Sequence, residues 1–399
     1  MDAVQALDAQ YVLQTYRRAP IVLSRGCGSW LFDADDRAYL DFLSGIGVAS
    51  LGHAHPRLAQ ALGDQAQTLL HTSNLFFHPL QGRLAARLAA LSGLPRAFFC
   101  NSGTEAVEAC LKLARRYWST AGRPRPGLVA LEHGFHGRTC GSLALTFHES
   151  YRAPFEPLLS DVTFISPGDP AAVAAAMTEA TAAIVLEPIQ GEGGVRPLTP
   201  AFAGAVAQAC QRTGALLIAD EVQCGLGRTG HPFYFSALGL RPDLVAVGKA
   251  LGAGVPVGAA LSSQAVADAI SPGDHGSTYG GNLLACRAAL VFLDELIDGG
   301  VLDHVRDVGA RLSLALQAWP ARHRAIVDVR GAGLMQGIEL AFDAAPVVEA
   351  ARARGLLVNA TAQRVVRLLP PLTISHAEID EGLMRLEAAI LDVSEGRTA

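Results

Sequence analysis

Between residues 56 and 287 the chain alternates short apolar runs with longer, alanine-rich stretches that favour helix. The runs AFFC (97–100), LVAL (128–131), AAIVL (182–186), ALLIA (215–219) and LVAV (244–247) are too short for buried helices. Gly, Pro or charge bounds each of them, so they predict strands. Intervening stretches such as 170–180 and 201–213 predict helices. This rhythm is that of an α/β fold with a mostly parallel central sheet. The ends read differently. WLFDADDRAYLDFL alternates around a turn at 34–37, a hairpin pattern, and the region after about residue 288 begins with long helical patterns. Strand-like runs follow at 326–329 and 365–369, then an acidic amphipathic helix after Ser375. The pattern predicts a large domain over 56–287 and a smaller α+β domain assembled from 1–55 and 288–399.

At 399 residues the chain is long enough for two domains and a large core. Half of it is apolar, yet no apolar run approaches the ~20 residues that a membrane helix needs. A net charge of −5 without a basic run argues against nucleic acid. The acidic, polar N-terminus is not the pattern of a secretory signal or a basic transit peptide. Seven scattered cysteines, none in CxxC or Cys/His metal spacing, predict reduced thiols in a cytoplasmic protein and no metal site. Lys and Arg total 32, of which only Lys112 and Lys249 are lysines. An amine can lose its proton and attack a carbonyl, whereas a guanidinium cannot, so these two positions invite a chemical explanation.

In open α/β sheets ligands bind outside the carboxyl ends of the strands. There AAIVL runs into Glu187, ALLIA into Asp220, and LVAV through Gly248 into Lys249. AFFC gives way to NSGTEA, placing Ser102, Gly103 and Thr104 at a helix N-terminus, where free amides and the positive dipole end favour phosphate. An ordinary Ser cap with Glu as its partner is the simpler account of that motif taken alone. Asp220, at the end of a buried strand, needs a partner, and a protonated ring nitrogen would be one. Lys112 sits mid-helix beside Arg115 and Arg116, a solvated face. Lys249 lies between a buried strand and GAGVPVGA, where desolvation would favour the neutral amine.

NSGTEA (101–106), GFHGRT (134–139), EPIQGEGG (187–194), DEVQCGLGRTG (220–230), GKALGAGVPVGA (248–259) and STYGGN (277–282) together resemble the class III aminotransferases, over nearly the whole chain. The resemblance implies fold type I and pyridoxal 5′-phosphate held on Lys249 as a Schiff base. Lys249 then carries the proton of the transfer, Asp220 binds the pyridine nitrogen, and Gln223 approaches the ring hydroxyl. Phe135 and Val222 cover the two ring faces. Ser102, Gly103 and Thr104 hold the phosphate, and Thr278, preceded by Ser277 at the substrate side, reaches the cofactor of the other subunit of a homodimer. The implied reaction is ping-pong, with an amino donor followed by 2-oxoglutarate. Arg367 receives the α-carboxylate of glutamate, Glu192 pairs with Arg367 when an ω-amino donor is bound, and Arg138 clamps the distal carboxylate.

Within the family, TYRRAP (15–20), FLSGIGVASLGHAHP (42–56), HTSNLF (71–76) and VNATAQRVVRLLPPL (358–372) are most similar to the N-acetylornithine enzymes of arginine biosynthesis. Tyr16 is then expected to assist Arg138, and Ile46 suits a donor whose α-amine is acylated or missing, where ornithine enzymes carry a tyrosine. Succinylornithine and 4-aminobutyrate remain open as donors, and Val107 and His78 depart from the pattern of close acetylornithine enzymes. A glutamate-1-semialdehyde type aminomutase is disfavoured by Arg138 and Gln223. A catalytically dead relative would lack Lys249, Asp220 or the arginine clamps, and all are present.

Overall fold

The computed structural model describes residues 2–396. Seventeen strands occur among the described residues: β1 Leu23–Cys27, β2 Trp30–Asp33, β3 Ala38–Asp41, β4 Arg96–Cys100, β5 Gly127–Leu131, β6 Val162–Ile165, β7 Thr181–Leu186, β8 Ile189–Gln190, β9 Arg196–Pro197, β10 Leu216–Asp220, β11 Leu244–Val247, β12 Gly258–Ser262, β13 Ile326–Ala332, β14 Met335–Leu340, β15 Leu356–Leu357, β16 Asn359–Thr361 and β17 Val365–Leu368.

The central sheet has seven strands in the order β4-β12-β11-β10-β7-β5-β6. The pairs from β11 to β6 are parallel, and β12 runs antiparallel to both of its neighbours. Every residue of β7, β10 and β11 is buried, as expected of strands covered on both faces. Each such Val, Leu or Ile contributes roughly 1.5–3 kcal/mol by leaving water. The covering helices begin and end where local chemistry dictates. Helix Pro200–Thr213 starts with Thr199 accepting from the Phe202 amide and Pro200 in its first turn, and stops at Gly214 with φ +73°.

Hairpin β2–β3 turns at residues 34–37, and β3 pairs in parallel with β15, so the N-terminal strands share a sheet with the C-terminal region. A second four-stranded sheet, β13-β14-β17-β16, is antiparallel throughout. Helix His376–Glu395 follows it, opened by a Ser375/Glu378 capping box. A small apolar cluster of Ile189, Val195, Cys224, Met335 and Leu369 packs the loops beyond β7 and β10 against β14 and the end of β17. Among the described residues no helix is long and apolar enough to cross a membrane, and no His/Cys/Asp/Glu cluster could hold a metal ion.

Candidate active site

Parallel register brings the ends of β10 and β11 side by side: Asp220 pairs with Ala246, and Lys249 follows three residues later. Lys249 has φ +39°, a left-handed backbone that costs energy in a non-glycine residue and recurs at functional sites. Burial depresses its pKa, and the amine feels Glu192, Arg367, Asp220 and Glu187 together. Four groups from four strand ends or loops thus converge on one amine.

Asp220 is buried, and its partner is a residue the sequence reading left unassigned. His136 Nδ1 lies 2.7 Å from Asp220 Oδ2, and the Val222 amide donates to Oδ1 at 3.1 Å. Burial by itself would lower the His136 pKa, but the hydrogen bond to Asp220 and the charges of Asp220 and Glu187 outweigh it, and the pKa is raised. Glu187 accepts from the Phe135 and Gly191 amides, each at 2.9 Å, and burial pushes its carboxyl up to about 7. GFHGRT therefore delivers a positively biased imidazole behind the carboxylate as well as Phe135 and Arg138.

Ser102 caps helix Gly103–Thr120, its Oγ accepting from the Glu105 amide at 3.3 Å, and the first-turn amides point out of the helix end. A methyl group on Gly103 would sit 2.5 Å from Val222 Cγ1, and one on Gly248 3.1 Å from Gly103 Cα. These close approaches bring the helix end, Val222 and the lysine loop together. The Thr104 hydroxyl has protein partners: it bonds Thr139 and Ser142 at 2.9 and 2.7 Å and accepts from the Arg138 amide at 3.2 Å. Thr104 thus has its backbone amide for a phosphate, while its hydroxyl tethers the Arg138 loop. Glu108 braces the same loop, accepting from Thr139 Oγ1 and the Gly141 and Ser142 amides.

Arg367 is fully buried. Its Nη1 donates to Glu192 Oε1 at 2.5 Å and to Gln223 Oε1 at 3.0 Å, and its Nε donates to Asn359 Oδ1 at 3.3 Å. Burial opposes ionisation of Glu192, but Arg367 outweighs it and holds the pKa below the ordinary value. Gln223, expected at a ring hydroxyl, has its amide oxygen on Arg367 in this structure. Arg138 is exposed, its guanidinium 3.8 Å from the Tyr151 ring centroid and 5.6 Å from that of Phe135. A cavity of about 700 Å³ adjoins the site, walled by Phe135, Tyr151, Glu192 and Thr361.

Tyr16, Ser277, Thr278 and Ile46 are placed differently within one chain. Tyr16 is 74% exposed and lines a separate cavity with residues of the first helix and the loop after it. Ser277 and Thr278 line another cavity of about 340 Å³ with Asn101, Glu105 and Glu108. The Ser277–Gly281 loop is held from below, Asn74 Nδ2 donating to the Ser277 and Gly280 carbonyls and His78 Nε2 to the Gly281 carbonyl. Ile46 is 38% exposed on a turn in which Ser44, Gly45, Ile46 and Gly47 all have positive φ. Asp41 Oδ1 accepts from the Leu43 and Ser44 amides and Ser44 Oγ donates to the Leu369 carbonyl, which holds a β-branched side chain in a backbone it rarely adopts.

The donor set suits a phosphate-bearing pyridine aldehyde: an amine with a depressed pKa, a buried carboxylate for a ring nitrogen, a helix end for phosphate and Phe135 for a ring face. Residues 11–390 match the family model described as aminotransferase class-III. The chain is 42% identical over 393 residues to the acetylornithine aminotransferase of Methanocaldococcus jannaschii, covering 98% of each. It is 44% identical over 368 residues to acetylornithine aminotransferase 1 of Bordetella bronchiseptica, covering 92% of this chain and 94% of that one. Among solved structures, an ornithine aminotransferase from Toxoplasma gondii, reported with partial occupancy of PLP at its active site, aligns with TM-score 0.94 at 34% identity, covering 100% and 96% of the two chains. The acetylornithine aminotransferase from Elizabethkingia anophelis aligns with TM-score 0.86 at 30% identity, covering 98% and 99%.

Proposed function

We propose that this chain, which belongs to the class III aminotransferases, moves the ω-amino group of N2-acetyl-L-ornithine to 2-oxoglutarate, giving N-acetyl-L-glutamate 5-semialdehyde and L-glutamate. The observation that carries the two-substrate reading is the buried Arg367 paired with a partly exposed acidic residue, Glu192, within the field of Lys249. A donor whose reacting amine sits at the end of an alkyl chain has no carboxylate next to that amine for Arg367, so Glu192 neutralises that cation. Glutamate and 2-oxoglutarate bring their own carboxylate and replace Glu192 in a bidentate pair.

Pyridoxal 5′-phosphate, when bound, supplies the aldehyde that takes up nitrogen and a ring that withdraws electrons from the reacting carbon. Ser102, Gly103 and Thr104 would hold its phosphate, Phe135 and Val222 would cover its ring faces, and Gln223 would approach its hydroxyl. Asp220, backed by His136, keeps the ring nitrogen protonated. Lys249 Nζ, neutral more readily because of its burial, accepts the proton from the substrate carbon and returns it during the transfer. Arg138 receives the distal carboxylate.

The active unit is a homodimer in the cytoplasm. Leu75, Phe76, Phe77 and Tyr279 are all strongly exposed apolar surface beside the Ser277–Gly281 loop, and a second copy would cover them. That copy carries Thr278 to this chain's phosphate site and Tyr16 to its Arg138. Ile46, apolar and without a group to meet a free α-amine, favours an acylated donor. Comparing kcat/KM for N-acetylornithine, N-succinylornithine, ornithine and 4-aminobutyrate tests the donor: N-acetylornithine is expected first, and a lead for ornithine or 4-aminobutyrate would overturn the assignment.

A further inference from the structure

Arg367 and Asn359 stand directly opposite each other in the antiparallel ladder of β16 and β17, so strand register fixes their pairing. A guanidinium has five N–H donors. Asn359 takes the one on Nε, Gln223 and Glu192 take those on Nη1, and buried Nη2 has no partner among the described residues. When Glu192 withdraws, one Nη1 hydrogen joins the two of Nη2, a fork that fits the two oxygens of a carboxylate. The residues that remain on Arg367 are then two neutral amides. They fix the plane of the guanidinium without cancelling its charge, which is left for Glu192 and the incoming carboxylate to neutralise in turn.

The surroundings reinforce this division. On the other side of β17, Arg367 faces Gly337, which brings no competing side chain, and Val195 fills that space, within 2.8 Å of where a Cβ on Gly337 would lie. Gln223 reaches Arg367 only because residue 191 is glycine: a Cβ there would lie 2.2 Å from Gln223 Oε1.

We propose that Asn359 is a positioning residue that determines specificity for the acceptor. It aims the Nη1/Nη2 edge of Arg367 at the α-carboxylate of a dicarboxylate, and its neutrality permits the exchange with Glu192. The proposal rests on the two-substrate reading above. The test uses the holoenzyme and Asn359→Ala and Asn359→Asp. Binding of glutarate, a dicarboxylate with neither amino nor keto group, is measured by calorimetry, and each half-reaction is followed by absorbance in a stopped-flow instrument. Both variants are expected to raise the glutarate Kd and the KM for 2-oxoglutarate about tenfold or more, the scale of one hydrogen bond to a charged group. The N-acetylornithine half-reaction is expected to change far less. Should Asn359→Ala fail to fold, Asn359→Asp, which keeps volume and acceptor, carries the test. An unchanged glutarate Kd in a folded variant, or equal losses in both half-reactions, would overturn the proposal. If the wild type took nitrogen from no ω-amino donor, the functional reading would fall while glutarate binding still decided the role of Asn359.

Discussion

Of the chain's two amines, Lys112 is exposed with its Nζ 2.9 Å from His275 Nδ1, and Lys249 is the one surrounded by buried charge. Lys249→Ala is therefore expected to abolish transamination while leaving the phosphate subsite intact, and Lys112→Ala to leave turnover near wild type. Steady-state assay of both variants checks this, and retained turnover in Lys249→Ala would refute the assigned role. A second residue-scale expectation concerns Glu221, which is buried and accepts from the Phe235 amide at 2.6 Å, beside Cys224. Burial lifts its carboxyl from 4.5 to about 7. The folded state thus holds a proton that the unfolded state has lost between those values, and stability declines as pH rises through that window. The contribution is on the order of 3 kcal/mol. Glu221→Gln, which mimics the protonated acid, should shrink the fall in Tm of the wild type between about pH 5 and about pH 8. An undiminished fall would show that other groups carry it.

At the scale of elements, the site depends on helix Gly103–Thr120 abutting Val222 and the lysine loop. Gly103→Ala places a methyl 2.5 Å from Val222 Cγ1, so the helix end must shift. Overpacking of this kind costs about 1–3 kcal/mol. Cofactor affinity, measured by fluorescence titration of the apoenzyme, should fall by about tenfold or more, and adding Val222→Ala should recover part of it; no recovery would place the defect elsewhere. The strands that bear the site were legible in sequence because buried parallel strands leave short apolar runs, and β5, β7, β10 and β11 lie within a residue of those runs. Antiparallel β12 was not anticipated, since GAALS has too little bulk to stand out from the glycine-rich loop before it. Motif reading named Lys249 and also Asp220, Arg367 and Glu192, which the structure gathers around its amine. It passed over His136 and Asn359, whose importance comes from spatial neighbours 84 and 8 residues away in sequence. It assigned Thr104 to a phosphate, and the structure adds a tether from its hydroxyl to Thr139 and Ser142, made where Gly137 lets two loops close on each other.

For the whole molecule, the N- and C-terminal regions meet through β3 and β15, and Ser44 bonds the Leu369 carbonyl two residues beyond Arg367. The turn carrying Ile46 and the strand carrying Arg367 are therefore mechanically joined. Under the proposed homodimer, a second copy covers the exposed Leu75–Phe77 and Tyr279. Phe77→Asp should shift the protein toward monomer in sedimentation velocity and reduce activity with it, whereas a wild type that sediments as a fully active monomer would contradict the shared site. The central claim is that Lys249 Nζ bonds the cofactor at a site closed by Asp220. With only two lysines in the chain, borohydride reduction of the holoenzyme followed by peptide mass mapping tests it directly. A phosphopyridoxyl adduct on the peptide containing Lys249 is the predicted result; an adduct on the Lys112 peptide, or on neither, would contradict it.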